Sequence, residues 1–288
     1  MAVPSIPHAE IASLLAGSAP AIHRHLAAIG LLHNWVCSGV YAKSSGYEGI
    51  LTAGHCARDF LAEERFALCV SEAWHQLWVK PAAVEHVVIG WDETEGPTSS
   101  GPDLSFIIIH DKELRDIIST QGIEFYDLDA RNSTDVFGSP FRKFNWCVAG
   151  NPNENVLPHE QLLNGQPHNL VSINAAAMQG NFYNHAFRDQ FDYIELHLLS
   201  SLHDFPACYK GVSGGGIWYQ RLVTNDEKHY HVQPVLAGIA CWQSAHTSER
   251  GYKVRKITGH GWVSIYGQVR KVLAERRKTQ ESVGGEAK

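Results

Sequence analysis

Hydrophobic and polar positions divide the chain into three regions with different periodicities. Between residues 6 and 32, apolar side chains recur at steps of three and four, the period of an amphipathic helix. From about residue 35, short apolar runs alternate with turn-forming segments, as in antiparallel sheets. A helical pattern returns over about 263–278. The pattern predicts an all-β protein of two antiparallel β-barrels, with an N-terminal helical extension and a C-terminal helix.

The predicted strands fall into two groups, one for each barrel. The first group covers 35–41, 49–52, 66–70, 84–89 and 104–109. After a connecting segment over about 111–139, the second group covers 145–149, 169–173, 193–198, 216–220, 232–241 and 252–256. We therefore expect four units, which are a helical extension over 1–33, a first barrel over 34–125, a second barrel over 126–262, and a C-terminal helix with a polar tail over 263–288.

Composition places the chain among ordinary globular proteins. Of its 288 residues, 44% are hydrophobic and 19% are charged. The net charge of −6 argues against nucleic acid as the main partner. No apolar run approaches the length of a membrane helix, and the N-terminus lacks the basic start and compact apolar core of a secretory signal. These observations predict a cytoplasmic protein with neither a membrane nor a nucleic-acid partner.

The cysteines and histidines do not form a metal-binding pattern. The six cysteines lie at positions 37, 56, 69, 147, 208 and 241, and none belongs to a Cys-x-x-Cys pair. His229 and His231 would face one side of a strand, for which a solvent-facing hairpin is the better explanation. We therefore expect no metal site and no cofactor.

A serine inside a glycine cluster is the first candidate for chemistry. Residues 211–216 read Gly-Val-Ser-Gly-Gly-Gly, and glycine lets backbone N–H groups converge on an oxyanion beside a nucleophile such as Ser213. Two other polar residues stand at the ends of apolar strands: His55 follows 50–52 and Asp103 precedes 104–109. Each feature alone has an ordinary explanation as a turn, a buried histidine or a turn cap. Together they supply a base, the acid that orients it, and a nucleophile.

These segments resemble the active-site motifs of trypsin-like (chymotrypsin-fold) serine peptidases. Residues 52–56, Thr-Ala-Gly-His-Cys, are similar to the family's Thr-Ala-Ala-His-Cys, and 103–105, Asp-Leu-Ser, to its Asp-Ile-Ala/Thr. Residues 211–215 are similar to Gly-Asp-Ser-Gly-Gly, and 236–242, Leu-Ala-Gly-Ile-Ala-Cys-Trp, to the substrate-binding strand Leu-Val-Gly-Ile-Val-Ser-Trp. The resemblance spans about 34–270 and is closest to a divergent bacterial branch with a late His-Gly-x-x-Ser-Ile-Tyr, here at 260–266.

The resemblance implies a fold and a mechanism. The fold is two antiparallel six-stranded β-barrels, with the active site in the cleft between them. Ser213 would attack a peptide carbonyl and form an acyl-enzyme, His55 would act as general base and then acid, and Asp103 would hold the imidazole. The N–H groups of Gly211 and Ser213 would form the oxyanion hole. The substrate would be a protein or peptide.

Several positions depart from the family pattern. Val212 replaces the aspartate that captures a new N-terminus after zymogen cleavage, so we expect no activation by cleavage. Cys241 stands where the family has a serine that contacts the catalytic aspartate, and thiols are weaker donors. The resemblance places Ala207 at the base of the substrate pocket, with Cys241, Trp242 and Gln243 on the binding strand. An uncharged base predicts cleavage after small or medium apolar residues, with Lys and Arg disfavoured.

Two other functions fit the same residues. A catalytically silent or gated module would keep the peptidase fold and bind a partner instead. An esterase or other acyl hydrolase could use the same triad, whereas an α/β-hydrolase is disfavoured because its triad runs Ser, acid, His.

Two features bear on regulation. The resemblance places Cys37 and Cys56 as neighbours, either in a disulfide or as two buried thiols, and the lack of a secretory signal favours thiols. The helical extension before Leu32 would be a packing strap or the docking site of a regulatory partner.

Overall fold

The described residues form an eight-stranded sheet, a closed six-stranded barrel and a two-stranded hairpin, with helices near both ends of the chain. The structure, a computed structural model, describes residues 8–30, 35–69, 76–91, 101–131, 146–152, 156–163, 166–173, 176–198, 210–224, 230–247 and 253–285. The helices are α1 (His8–Gly17), α2 (Ala19–His23), α3 (Gly54–Leu61), α4 (Lys112–Thr120) and α5 (Arg270–Gly285). A 3-10 turn covers Pro81–Ala83, and π-helical turns over Ser264–Val269 lead into α5.

The first sheet brings the segments of His55 and Asp103 to one edge. Its strands are β1 (Leu26–Gly30), β2 (Trp35–Ser44), β3 (Tyr47–Thr52), β4 (Phe66–Cys69), β5 (Gln76–Val79), β6 (Val84–Ile89), β7 (Leu104–Ile109) and β8 (Tyr126–Asp127). They run in the order β5-β4-β1-β2-β3-β7-β6, with β8 paired to β2 in parallel. Because β3 and β7 are antiparallel, with Thr52 opposite Ser105, the end of β3 lies beside the start of β7.

The second group of strands forms a closed barrel, and one of its strands begins in the glycine cluster. Its members are β9 (Trp146–Gly150), β12 (Ala176–Arg188), β13 (Phe191–Leu198), β14 (Gly216–Thr224), β15 (Tyr230–Thr247) and β16 (Lys253–His260), in the order β12-β13-β16-β15-β14-β9. A separate hairpin consists of β10 (Val156–Leu163) and β11 (Gln166–Ile173). Ser213 therefore lies at the end of the barrel, just before β14.

The mostly β fold with terminal helices is confirmed, but the helical prediction for residues 6–32 is wrong in part. It is correct for α1 and α2 and wrong for β1, whose five residues are all buried between β2 and β4. A continuous apolar run has no polar face, so its partners rather than its periodicity decide between helix and strand. The domain boundaries themselves stay predictions.

The strand assignments also differ from prediction in both sheets. In the described part of the chain, the first sheet has eight strands rather than six and does not close on itself. The predicted barrel strand over 169–173 lies in the separate hairpin, and β12 takes the barrel position. Most residues of β12 from Asn181 to Arg188 are exposed, so this strand carries no regular burial pattern that a sequence could display.

The two sheets share one hydrophobic core. Leu51 and Phe106 of the first sheet belong to the same buried cluster as Trp218 and Ile239 of the barrel. Burying one such side chain contributes about 1.5–3 kcal/mol. A second cluster, which includes Phe60, packs beneath α3. Because packing on this scale resists sliding, the two sheets hold their chain ends in a fixed relation at the site.

Asp192 anchors the C-terminal helical segment to the barrel. Its buried carboxylate accepts hydrogen bonds from the N–H groups of Val263 (3.1 Å) and Ser264 (2.7 Å) and from the Ser264 hydroxyl (2.7 Å). A carboxylate suits the unpaired N–H groups at the start of a helix. The predicted C-terminal helix over 263–278 is confirmed and continues to Gly285. Among the described helices, none combines the length and apolar character needed to span a bilayer.

Candidate active site

His55 is presented by the first turn of a helix. Strand β3 ends at Thr52 and α3 begins at Gly54, so the backbone N–H of His55 is one of the unpaired donors at a helix start. That N–H donates to Asp103 Oδ1 at 2.8 Å, and His55 Nδ1 lies 2.7 Å from Asp103 Oδ2. An ionised carboxylate can only accept. The hydrogen of this contact is therefore on Nδ1, and Nε2 points away from the aspartate.

Asp103 is held by the second barrel as well as by His55. The residue is only 1% exposed. Its backbone N–H donates to His260 Nε2 at 2.9 Å, and its carbonyl oxygen accepts from the Cys241 thiol at 3.4 Å. The sequence predicted a contact between Cys241 and this aspartate. The thiol meets the backbone carbonyl of Asp103.

The loop that carries Ser213 depends on glycine. Gly211 and Gly214 have positive φ angles of 93° and 84°, a region that other residues adopt only with strain. A Cβ on Gly214 would lie 2.0 Å from the carbonyl oxygen of Ser38 and 2.1 Å from Thr52 Oγ1. The nucleophile loop therefore packs directly against the first sheet, at a distance that only glycine permits.

Ser38 joins the nucleophile loop to the first sheet, and sequence analysis missed it. Its N–H donates to the carbonyl of Ser213 (2.8 Å), and its hydroxyl donates to the carbonyl of Gly211 (2.7 Å). The same hydroxyl oxygen accepts the N–H of Asn151 at 2.8 Å. The available signal was weak: a single serine beside Gly39, within a strand of mostly apolar residues.

The structure brings Ser213 and His55 into the same region without joining them. Ser213 Oγ donates to the carbonyl oxygen of Cys241 at 3.2 Å. His55 Nε2 lies 3.4 Å from Cys56 Sγ, and that thiol also contacts the carbonyl of Ser213 at 3.6 Å. Among the hydrogen bonds of the described residues, none connects Ser213 Oγ with His55 Nε2. A thiol therefore occupies the contact that a nucleophilic serine needs.

Charge and burial act in opposite directions on His55. Burial lowers its pKa, but the hydrogen bonds with Asp103 and Cys56 and the charge of Asp103 raise it to about 10. Burial raises the pKa of Cys56 well above its usual value, so Cys56 is a neutral thiol at neutral pH. The raised pKa favours the protonated imidazole, which cannot accept a proton from Ser213 until it has lost its own.

The N–H groups of Gly211 and Ser213 meet one requirement for an oxyanion hole, which is that its donors are not already engaged in hydrogen bonds. No group in the described part of the chain accepts a hydrogen bond from either of them. Such a site needs two donors that are not already engaged and that converge on one point.

The predicted substrate-binding residues differ in exposure. Gln243 is exposed, and Trp242 is half-buried and stacks on Tyr193 with ring centroids 5.9 Å apart. Cys241 is only 2% exposed. Ala207 lies outside the described residues.

The sequence analysis favoured reduced thiols at Cys37 and Cys56 over a disulfide, and it predicted no metal site. Cys37 and Cys56 are buried free thiols in hydrogen-bond contact with each other. Within the described ranges, no group of three or more His, Cys, Asp or Glu side chains is arranged to hold a metal ion.

Three solved structures resemble this chain at low sequence identity. One is described as human heparin binding protein, at 11% identity over 86% of this chain and 88% of that chain, with a TM-score of 0.44. An atomic-resolution structure of HBP has 12% identity over 87% and 91%, with a TM-score of 0.47. The third concerns the intrinsically disordered VPg protein of Sesbania mosaic virus, at 12% identity over 85% and 90%, with a TM-score of 0.42. No family model and no curated protein matches the chain.

The strand order of the chain itself defines the class of fold. An eight-stranded, mostly antiparallel sheet packs against a closed six-stranded antiparallel barrel, and helices lie near both ends of the chain. This is a chymotrypsin-like two-barrel fold. The candidate site lies where the ends of β3 and β7 in the first sheet meet the start of β14 in the second barrel.

Proposed function

We propose that this chain is a trypsin-like serine endopeptidase that works through an acyl-enzyme. The observation that carries the proposal is the hydrogen-bonded pair of His55 and Asp103, whose second imidazole nitrogen contacts the Cys56 thiol, and this thiol in turn contacts the carbonyl of Ser213. Ser213 attacks the peptide carbonyl, His55 takes its proton from Oγ and returns it to the leaving amine, and Asp103 stabilises the imidazolium. The N–H groups of Gly211 and Ser213 bind the oxyanion, and each such donor is worth about 3 kcal/mol in comparable enzymes.

The contacts of Ser213 and His55 favour a gated form of this enzyme. For catalysis, Ser213 Oγ has to leave the Cys241 carbonyl, and His55 Nε2 has to leave the Cys56 thiol. The bond of Ser213 is between neutral groups and contributes about 0.5–1.5 kcal/mol, whereas the bond from a protonated His55 contributes about 1.5–3 kcal/mol. A substrate in the cleft or a bound partner can supply that much. Cleavage of the N-terminus would not be the trigger, since Val212 offers no carboxylate to a new ammonium group.

The direct test is labelling with a fluorophosphonate, which reacts with an activated serine. We expect the wild type and Ser119→Ala to be labelled and Ser213→Ala not to be; Ser119 is an exposed serine on α4 and serves as the matched control. Labelling should increase as the pH rises toward 10, because His55 must lose its proton.

Three outcomes separate the candidate functions. Equal labelling of Ser213→Ala contradicts the assignment of the nucleophile. A wild type that is neither labelled nor able to cleave casein or small esters between pH 6 and pH 10 contradicts the enzyme and supports the silent binding module. Hydrolysis of esters without hydrolysis of peptides supports an acyl hydrolase of another class.

The proposed specificity is for small or medium apolar residues before the cleaved bond. It depends on Ala207 at the pocket base and on the apolar wall of Trp242. An arginine or lysine buried there would lose its hydration without gaining a partner. Profiling of a peptide library is the test, and a strong preference for Arg or Lys would show that another residue forms the base.

A further inference from the structure

His260 is a fully buried histidine that the proposed chemistry does not use. It is the last residue of β16, and its backbone pairs with Tyr193 of β13 and Ile239 of β15. Its ring lies against Tyr193 (centroids 4.8 Å apart), Phe191 (5.6 Å) and Trp242 (6.5 Å). Aromatic packing alone explains an apolar residue at this position and does not explain a histidine.

One nitrogen of the His260 ring accepts a hydrogen bond from the backbone of Asp103. The Asp103 N–H and His260 Nε2 are 2.9 Å apart, and this contact is buried. Because Nε2 accepts, a neutral ring must carry its proton on Nδ1. Nδ1 is buried, and within the described part of the chain it has no hydrogen-bond partner.

The unpaired Nδ1–H lowers the stability of the folded protein, and an apolar residue at this position would not do so. A buried donor without a partner costs about 1–3 kcal/mol. Unlike an apolar side chain such as leucine, the imidazole offers Nε2 as an acceptor for the Asp103 N–H. Burial lowers the pKa of His260 to about 4, although the charges of Asp103 and Asp192 act in the other direction. The ring therefore stays neutral around pH 7 and keeps its acceptor.

We propose that His260 is a positioning residue that fixes Asp103, and through it the direction in which His55 presents Nε2. The proposal rests on the function proposed above. The contact reaches from the second barrel to the first residue before β7, so it couples the barrel that carries Ser213 to the acid–base pair on the first sheet. The Cys241 thiol holds the other side of the same residue through the Asp103 carbonyl.

The test compares two amides of different reach. In His260→Gln the side-chain oxygen reaches the place of Nε2, whereas in His260→Asn it reaches only the place of Nδ1. Both variants are neutral and polar, so a general loss of packing affects them alike. Proteins labelled with 15N-histidine are titrated by NMR to follow the Nδ1–H signal of His55 and its pKa, and kcat and KM are measured for a peptide.

We expect His260→Gln to keep the wild-type His55 signal, pKa and kcat. In His260→Asn the pKa of His55 should fall. The kcat should fall about 10- to 100-fold, because a small misplacement of a catalytic group has an effect of this size. The KM should stay within about twofold of the wild-type value. Equal behaviour of the two variants, whether both like the wild type or both impaired, overturns the proposal.

A measurement on the wild type keeps the proposal testable if neither variant folds. The 15N shifts should show His260 with a protonated Nδ1 and an unprotonated Nε2 from pH 5 to pH 9, and a protonated Nε2 overturns the proposal. These NMR results do not depend on turnover. A wild type with the expected histidine signals but no hydrolysis contradicts the proposed function and leaves the positioning role standing.

Discussion

His55 and Asp103 on the first sheet make two hydrogen bonds with each other, at 2.7 and 2.8 Å, whereas Ser213 on the second barrel directs its hydroxyl to a backbone carbonyl 3.2 Å away. In the first half of the site Asp103 is buried, and it is held by His55, His260 and Cys241. The second half is held through its backbone, by Ser38 and by the contacts of Gly214, and its reactive hydroxyl is the part without a catalytic partner.

This difference indicates which half of the site can change its contacts at little energetic cost. The acid–base pair depends on a buried carboxylate, and rearranging it would expose an unpaired charge at a high cost. The serine hydroxyl turns about one bond and exchanges one weak hydrogen bond for another. Preorganisation is therefore placed in the half that is expensive to move, and the Ser213 side of the proposed gate lies in the half that moves at little cost.

The largest expected effect comes from breaking the first half. Asp103→Asn should lower kcat by about 10⁴-fold, because an amide can donate to His55 Nδ1 and favour the wrong tautomer. Steady-state hydrolysis of a peptide measures it. Asp116→Asn is the matched control, an exposed aspartate paired with Lys112. An Asp103→Asn variant with activity within tenfold of the control would contradict the role of Asp103.

The next prediction concerns the packing of the nucleophile loop against the first sheet, which is tested through the free energy of unfolding. Gly214 and Gly122 both have positive φ, but a Cβ on Gly214 would collide with Ser38 and Thr52, whereas a Cβ on Gly122 meets nothing within 4 Å. Gly122→Ala should lower the free energy of unfolding by about 1–2 kcal/mol, and Gly214→Ala by about 1–3 kcal/mol more. Denaturant unfolding measures both. Equal losses would show that the loop does not press against the first sheet.

A smaller effect should follow from freeing His55 Nε2. Cys56→Ala removes the thiol that contacts it, so the pKa of His55 should fall, and each unit of that fall gives about ten times more free base at neutral pH. We expect kcat/KM at pH 7 to rise. Cys147→Ala is the control, since Cys147 is an equally buried thiol in β9, away from the site. If the two variants have the same kcat/KM, the Cys56 contact does not gate the base.

The smallest effect is the pH dependence of stability. The pKa of His55 is raised in the folded protein from 6.5 to about 10, so protonated His55 stabilises the fold fully below pH 6.5, and that contribution is lost as the pH rises toward 10. The Tm difference between wild type and His55→Gln should therefore shrink as the pH rises from about 6 to about 10. A difference that grows with pH would contradict the raised pKa.

Much of the fold and of the candidate site could be predicted from patterns within short segments of the sequence. The strands before His55 and after Asp103 were predicted because each is a local apolar run, and both exist as β3 and β7. The strand β1 was missed because a run that is buried on both faces has no period of its own. Helix α3 was missed because the sequence analysis assigned no helix or strand to the residues between 52 and 66.

The sequence by itself determined the residues of the candidate chemistry, because glycine requirements and strand ends are properties of neighbouring residues. Only the tertiary structure decided what those residues touch. Ser38 meets Gly211 across 173 positions, and Asp103 meets His260 across 157. Contacts between residues so far apart depend on how two sheets pack, and no local pattern encodes them. For the same reason, only the fold reveals that Cys56, rather than Ser213, lies against the free nitrogen of His55.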